Sequence, residues 1–181
     1  MPLCETQTPA PVSPYGVTKL AAEHLCRRDS EVYGLATISL RLFTVYGPRQ
    51  RPDMGFQRFL SAAAAGDEVT LYGDGTQTRD FTYVADVVSG FTAAGALCRA
   101  GRAAGQVANI AGGSRASVNE VLAEVTRLAG RPLRVRRLPS QAGDVCDTWA
   151  DTTLARALLD FRPAVALDEG LARQWRSLEG R

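Results

Sequence analysis

A chain of 181 residues with 45% hydrophobic content carries enough apolar material for one substantial core, and its sequence holds no apolar run long enough to suggest a bilayer-spanning helix. A formal net charge of +2 argues against nucleic acid as a partner, and the one dense basic run, "RPLRVRRLP", alternates arginine with apolar residues as an edge strand does. Four scattered cysteines without a CxxC or a preceding signal peptide favour a reduced, cytoplasmic setting over a disulfide framework, and the lone His24 excludes a histidine-rich metal site, so no metal is expected.

In chain order, Pro9, Pro11 and Pro14 keep the first residues extended, and Ser13 ahead of a proline predicts the N-cap of a helix running to about Tyr33. That helix places Tyr15 and Lys19, four residues apart, on one face. The pair stands out because the chain has twenty arginines and this single lysine. Lysine is a compact charge on a flexible stem, able to shift a neighbour's ionisation, so the exception suggests chemistry; a solvated helix surface is the alternative reading. His24, further along, is expected to pack or cap.

After Gly34, "LATISLRLF" reads as a buried strand and "TVYGPRQRPDMG" as a loop. A helix from about Phe56 to Ala65 follows, then a strand "EVTLYG", a turn "DGTQ", a strand "RDFTYV" and a helix from Ala85 to about Cys98. "VANIAGG" is a short buried strand, Ser117 and Glu120 have capping-box spacing at the head of another helix, and "LRVRRLP" is a strand. Two last helices are predicted over Thr152 to Leu159 and Asp168 to Leu178, with Asp86 and Asp151 read as helix N-caps. The alternation means α/β, with parallel strands at least around "ISLRLF" and "VANIA". No strand precedes the Tyr15 helix and no GxGxxG occurs; "NIAGGS", the nearest glycine-rich strand end, reads as a plain tight turn.

Five stretches in order, "SPYGVTKLAAE", "RLFTVYGPRQRPDM", "VTLYGDGTQTRDFTYVADVV", "NIAGG" and "GDVCDTWADTTLARALLDFRP", resemble the extended short-chain dehydrogenase/reductases that act on nucleotide sugars, the NAD-dependent epimerase/dehydratase group. The likeness covers nearly the whole chain and begins in the second half of the family's usual length, so the sequence looks like a truncated member. It implies the C-terminal part of a Rossmann-like doubly wound sheet plus a small α/β substrate-binding lobe, lacking the N-terminal dinucleotide-binding βαβ units. Residues 1–45 and 80–112 would belong to the Rossmann-like part, and 46–79 and 113–181 to the lobe that holds the nucleotide sugar.

The resemblance also implies roles. Tyr15 is the acid/base on the sugar hydroxyl, Lys19 binds the nicotinamide ribose and favours the tyrosine's ionisation, and these two with Phe43 contact NAD. Thr44, where many members have asparagine, and Arg51 in "RPDM" are similar to the UDP-glucuronate 4-epimerases, in which such residues contact the sugar carboxylate. The alternative for Arg51 is a solvated loop residue. Arg79 matches a diphosphate arginine, while Thr70 and Tyr72 match the stretch along the nucleoside, with core strand packing as their alternative reading. Gln141, where many epimerases have a second diphosphate arginine, again resembles the glucuronate subgroup, and Asp144 follows it in the substrate-binding segment "GDV".

The activity so implied is NAD-dependent epimerisation at C4 of a UDP-sugar through a transient 4-keto intermediate. Nucleotide-sugar decarboxylation and 4,6-dehydration are the rivals within the enzyme class. A catalytically inactive binding remnant is the rival outside it, because the glycine-rich loop and the upstream Ser/Thr that assists the tyrosine have no counterpart. The implied assembly is a homodimer through the Tyr15–Lys19 helix, or a partner that supplies the missing N-terminal half.

Overall fold

A computed structural model describes residues 1–140 and 147–179. The elements in chain order are α1 (Pro14–Tyr33), β1 (Ile38–Leu42), β2 (Val45–Tyr46), α2 (Gly55–Ala65), β3 (Glu68–Tyr72), β4 (Thr78–Tyr83) and α3 (Val84–Arg99). They continue as β5 (Gln106–Ile110), β6 (Ser114–Ser117), α4 (Val118–Ala129), β7 (Arg134–Leu138), α5 (Thr153–Leu159) and α6 (Leu167–Glu179). The α/β class, the parallel β1–β5 pair and the six helices among the described residues match the expectation from sequence.

Local chemistry explains the helix ends. Ser13 caps α1 by accepting from the Gly16 N–H at 3.1 Å, and Gly34 closes it in the left-handed conformation, φ +66°. At α4 both halves of the capping box form: the Ser117 hydroxyl accepts from the Glu120 N–H at 3.2 Å, and the Glu120 carboxylate accepts from the Ser117 N–H at 2.7 Å.

β1 and β5 pair in parallel from Ile38 opposite Gln106 to Leu42 opposite Ile110. β2 is parallel and β6 antiparallel to β4, which lies between them, and β3 pairs in parallel with β7. Among the described residues β1 has no partner on its other edge. Two apolar clusters fill the interior. One gathers Ile38, Leu40, Ala108 and Ile110 under α3 and α5; the other gathers Tyr46, Phe56, Leu60, Phe81, Val121 and Leu171. Among the described residues no helix is long and apolar enough to cross a membrane.

Several expectations need correction, and one strand had none. "TVYGPRQRPDMG" is not wholly a loop, because its second and third residues form β2 beside β4. "SRAS" forms β6, a polar strand with no sequence signal of its own. Asp86 is not an N-cap: it sits inside the first turn of α3, 5% exposed, where its carboxylate accepts from the Ala164 and Val165 N–H groups at 3.0 and 3.2 Å. It therefore clamps the segment before α6. His24 neither packs nor caps, being exposed on α1. Asp151 performs the expected service one residue early, accepting from the Thr153 N–H at 2.9 Å.

Candidate active site

Pro14 at the first helical position and the Ser13 cap fix where α1 begins, and so where Tyr15 stands. The Lys19 Nζ lies 5.2 Å from the centroid of the Tyr15 ring, within cation–π range. Both side chains are exposed to an open cleft of about 730 Å³, whose lining also includes Glu23, Arg41, Leu42 and Phe91. That volume is of ligand size.

Sequence reasoning missed Glu23 and Arg41. Glu23 is one turn beyond Lys19 on the same helix face, and its carboxylate takes two bonds from Arg41 of β1, Nε to Oε2 at 2.9 Å and Nη2 to Oε1 at 2.7 Å. The hydrogen-bonded carboxylate holds the Arg41 guanidinium even more firmly protonated than usual. A glutamate four residues after Lys19 was the available signal, but its partner lies on another element.

The C-terminal end of β1 delivers Phe43 and Thr44. The Phe43 N–H donates to the Ile110 carbonyl at 3.1 Å, and the Thr44 carbonyl accepts from the Thr82 N–H at 3.1 Å, so these residues bridge the β1–β5 pair to β4. The loop after β2 carries Arg51, whose Nη2 meets the Asp53 carboxylate at 2.9 Å with both side chains mostly exposed. Such a pair is worth about 0–1 kcal/mol, which leaves the guanidinium available to a competing anion. Thr70 and Tyr72 alternate along β3 with buried Val69 and Leu71. Arg79 stands opposite Ala116 at the start of β4 and donates to the Thr78 carbonyl at 2.9 Å.

The structure thus brings Tyr15 and Lys19 together at one cleft, while Thr44, Arg51, Thr70, Tyr72 and Arg79 do not line it. Gln141 and Asp144 lie outside the described residues. Just after them Asp147 accepts from the Thr78 hydroxyl and, at 3.1 Å, from Arg115, bonds that hold its carboxyl below the usual range. Asp147 so ties the start of the next segment to β4, beside Arg79.

One phenol and one ammonium over an open cleft can each hydrogen-bond the hydroxyls of a sugar, the donor chemistry that the ribose of a nicotinamide riboside would need. The glycines of "NIAGGS" do not offer a phosphate cradle. The Gly112 N–H donates to the Thr82 hydroxyl and the Gly113 N–H to the Asp80 carboxylate, each at 3.0 Å, so both are engaged in a tight turn. Asp80 is fully buried and also accepts from the Ala150 N–H at 3.2 Å; burial raises its pKa.

Residues 2–111 match the family described as "NAD dependent epimerase/dehydratase family". The chain is 41% identical over 170 residues to an uncharacterized UDP-glucose epimerase, YtcB, of Bacillus subtilis, covering 94% of this chain and 53% of that protein. It is 38% identical over 164 residues to the UDP-glucuronate 4-epimerase of Thermodesulfobacterium geofontis, covering 90% of this chain and 49% of that one. Among solved structures, the UDP-glucuronic acid 4-epimerase from Bacillus cereus in complex with UDP-glucuronic acid and NAD matches with a TM-score of 0.92 and 39% identity, over 99% of this chain and 57% of the other. MoeE5 in complex with UDP-glucuronic acid and NAD matches with a TM-score of 0.92 and 42% identity, over 99% and 60%. The chain spans about half the length of the curated relatives it matches.

Proposed function

Because this chain belongs to the NAD dependent epimerase/dehydratase family, we propose that it forms the proton-transferring and sugar-binding portion of a UDP-glucuronate 4-epimerase. The observation that carries the reading is the Tyr15–Lys19 pair on one face of α1, in a cleft walled by the end of β1 that leads into Thr44. NAD, when bound against Tyr15, Lys19 and Phe43, would supply the acceptor and donor of the C4 hydride.

Tyr15 removes the proton from the C4 hydroxyl as that carbon is oxidised, and returns it when the turned-over 4-keto sugar is reduced on its opposite face. The Lys19 ammonium puts a positive charge beside the phenol at the moment negative charge develops there. Thr44 and Arg51 hold the C5 carboxylate, Arg51 exchanging its exposed contact with Asp53 for the ligand. A 4-keto uronate is a β-keto acid that loses carbon dioxide readily, and a carboxylate held by a threonine and an arginine is disfavoured from doing so. Thr70, Tyr72, Arg79, Gln141 and Asp144 bind the nucleoside diphosphate.

The β1–β5 and β3–β7 pairs support a Rossmann-like part, residues 1–45 and 80–112, and a nucleotide-sugar lobe, 46–79 and 113–181; β4 joins the two, pairing with β6 of the lobe and with β2 at the boundary, and α5 packs on the Rossmann-like part. The unpaired edge of β1 and the exposed Leu42 and Phe91 support a junction with the remainder of the enzyme along the same cleft. Val17, Leu25 and Val32 are exposed on α1, which supports assembly through that helix. Free thiols at Cys4, Cys26 and Cys98 support a reducing, cytoplasmic setting.

The test is product analysis with the complete enzyme assembled. C4 inversion of UDP-glucuronate supports the reading; release of carbon dioxide identifies a decarboxylase, and loss of water a 4,6-dehydratase.

A further inference from the structure

We infer that Gln174, on α6, is a positioning residue for the loop that carries Arg51, and hence a determinant of the preference for a sugar acid; the inference rests on the glucuronate reading above. Gln174 is fully buried, beside Leu171 and Trp175 at the apolar cluster under α2 and α4. A primary amide in such a place is unfavourable unless its donors and acceptor are satisfied. Here they are, and every partner belongs to the loop or its two ends. The Gln174 Oε1 accepts from the Gly47 N–H at 3.1 Å, and its Nε2 donates to the Gln50 Oε1 at 3.2 Å and the Gln57 Oε1 at 3.3 Å. Gln50 closes the network: its Nε2 donates to the Val45 carbonyl at 3.0 Å and its Oε1 also accepts from the Gln57 N–H at 3.1 Å.

The segment so held is not one that would keep its shape unaided. Arg49 takes a left-handed backbone, φ +65°, a conformation that costs a non-glycine residue about 1 kcal/mol or more. Gly47 has φ +143° and lies so close to α3 that a Cβ on it would meet the Val84 Cγ1 at 2.6 Å. Arg49 and Arg51 are exposed, while the amides that hold their loop are buried or half-buried. Neutral amides fix the backbone through directed bonds and place no charge of their own behind the two guanidiniums. A methionine would fill the same volume and make none of the bonds, and a glutamate would keep the Gly47 bond but set a carboxylate against two amide oxygens.

The experiment uses the complete enzyme and isothermal titration with UDP-glucuronate, UDP-glucose and UDP, with circular-dichroism melts to establish that each variant is folded at the titration temperature. The wild type is expected to bind UDP-glucuronate more tightly than UDP-glucose. Gln174→Met should lower that preference about tenfold, the worth of one charge-assisted hydrogen bond, and leave UDP affinity within about twofold. In an Arg51→Ala background, Gln174→Met should cause no further loss of preference, because both changes remove the same contact. If Gln174→Met weakens all three ligands equally, Gln174 serves the fold alone and the inference is overturned while the glucuronate reading stands. If the wild type shows no preference for the sugar acid, that reading fails first and takes the inference with it. Gln50→Met, at a half-buried position in the same network, carries the same expectations should Gln174→Met not fold.

Discussion

Glu23 and Arg41 meet through two parallel hydrogen bonds and lock the helix that bears Tyr15 and Lys19 onto β1, the strand that leads to Thr44. Their side chains are 17% and 26% exposed, so the pair sits between the surface case, worth about 0–1 kcal/mol, and the buried case, where losing one partner costs about 3–5 kcal/mol. Arg41→Met is expected to lower stability by about 1–3 kcal/mol in a urea titration. Arg41→Lys, which cannot make the fork, should recover less than half of that.

Tyr15→Phe, in the complete enzyme, is expected to lower kcat for C4 inversion by about 10²–10⁴-fold, the usual worth of a positioned acid/base, and to leave KM for the UDP-sugar within about twofold. Retention of wild-type turnover would remove Tyr15 from the proton transfer. Steady-state kinetics on both proteins decides it.

Asp80 gives the chain a pH dependence of unusual sign. Its carboxyl is fully buried with two backbone N–H partners, and burial raises its native pKa. A group whose pKa is higher in the native state than its ordinary value, about 3.9, binds protons better when folded. Its contribution is therefore full below the ordinary value and declines as pH rises through the native one. Compared with Asp80→Asn, in which every other carboxylate is unchanged, the wild type should lose relative stability as the pH rises above the ordinary carboxylate value of about 3.9. Paired urea titrations across that range check it; a gap that widens with pH would show that the backbone bonds outweigh burial.

Gly170 touches Tyr46 so closely that a Cβ would lie 2.1 Å from the tyrosine Oη and 2.7 Å from Cε2. Alanine is the better helix former by about 1 kcal/mol, yet the collision in a packed core costs about 1–3 kcal/mol. Gly170→Ala should therefore melt at a lower temperature. Tyr46→Phe, which removes the nearest atom, should recover part of the loss when combined with it.

What the sequence made legible was what neighbouring residues decide. Ser13 with Pro14, Ser117 with Glu120, and Tyr15 with Lys19 each act within one helical turn, and each stands as its spacing implied. What escaped depends on partners far along the chain. Asp86 looked like a cap because acidic residues favour helix starts, but the N–H groups it accepts from belong to Ala164 and Val165. "SRAS" is a strand only because β4 lies beside it, and "VY" only because Thr82 and Tyr83 do. Gln174 is indistinguishable by pattern from any polar residue on an amphipathic helix; only the return of Gly47 and Gln50 against α6 reveals it.

Among the described residues, every strand ladder joins strands that are not successive: Ile38 with Gln106, Val45 with Thr82, Glu68 with Arg134, and Thr78 with Ser117. None of these pairings is a hairpin, so none of them offers a short local nucleus from which to grow. As the chain leaves the ribosome, β3 must wait until β7 has been made, and β1 until β5 has followed two helices. Loop closure of that kind slows folding, toward the millisecond-to-second range of non-local topologies rather than the microseconds of helical bundles. During that interval the largely apolar "TISLRLF" and "EVTLY" lack the later strands named above, while helices, whose bonds are local, can already form.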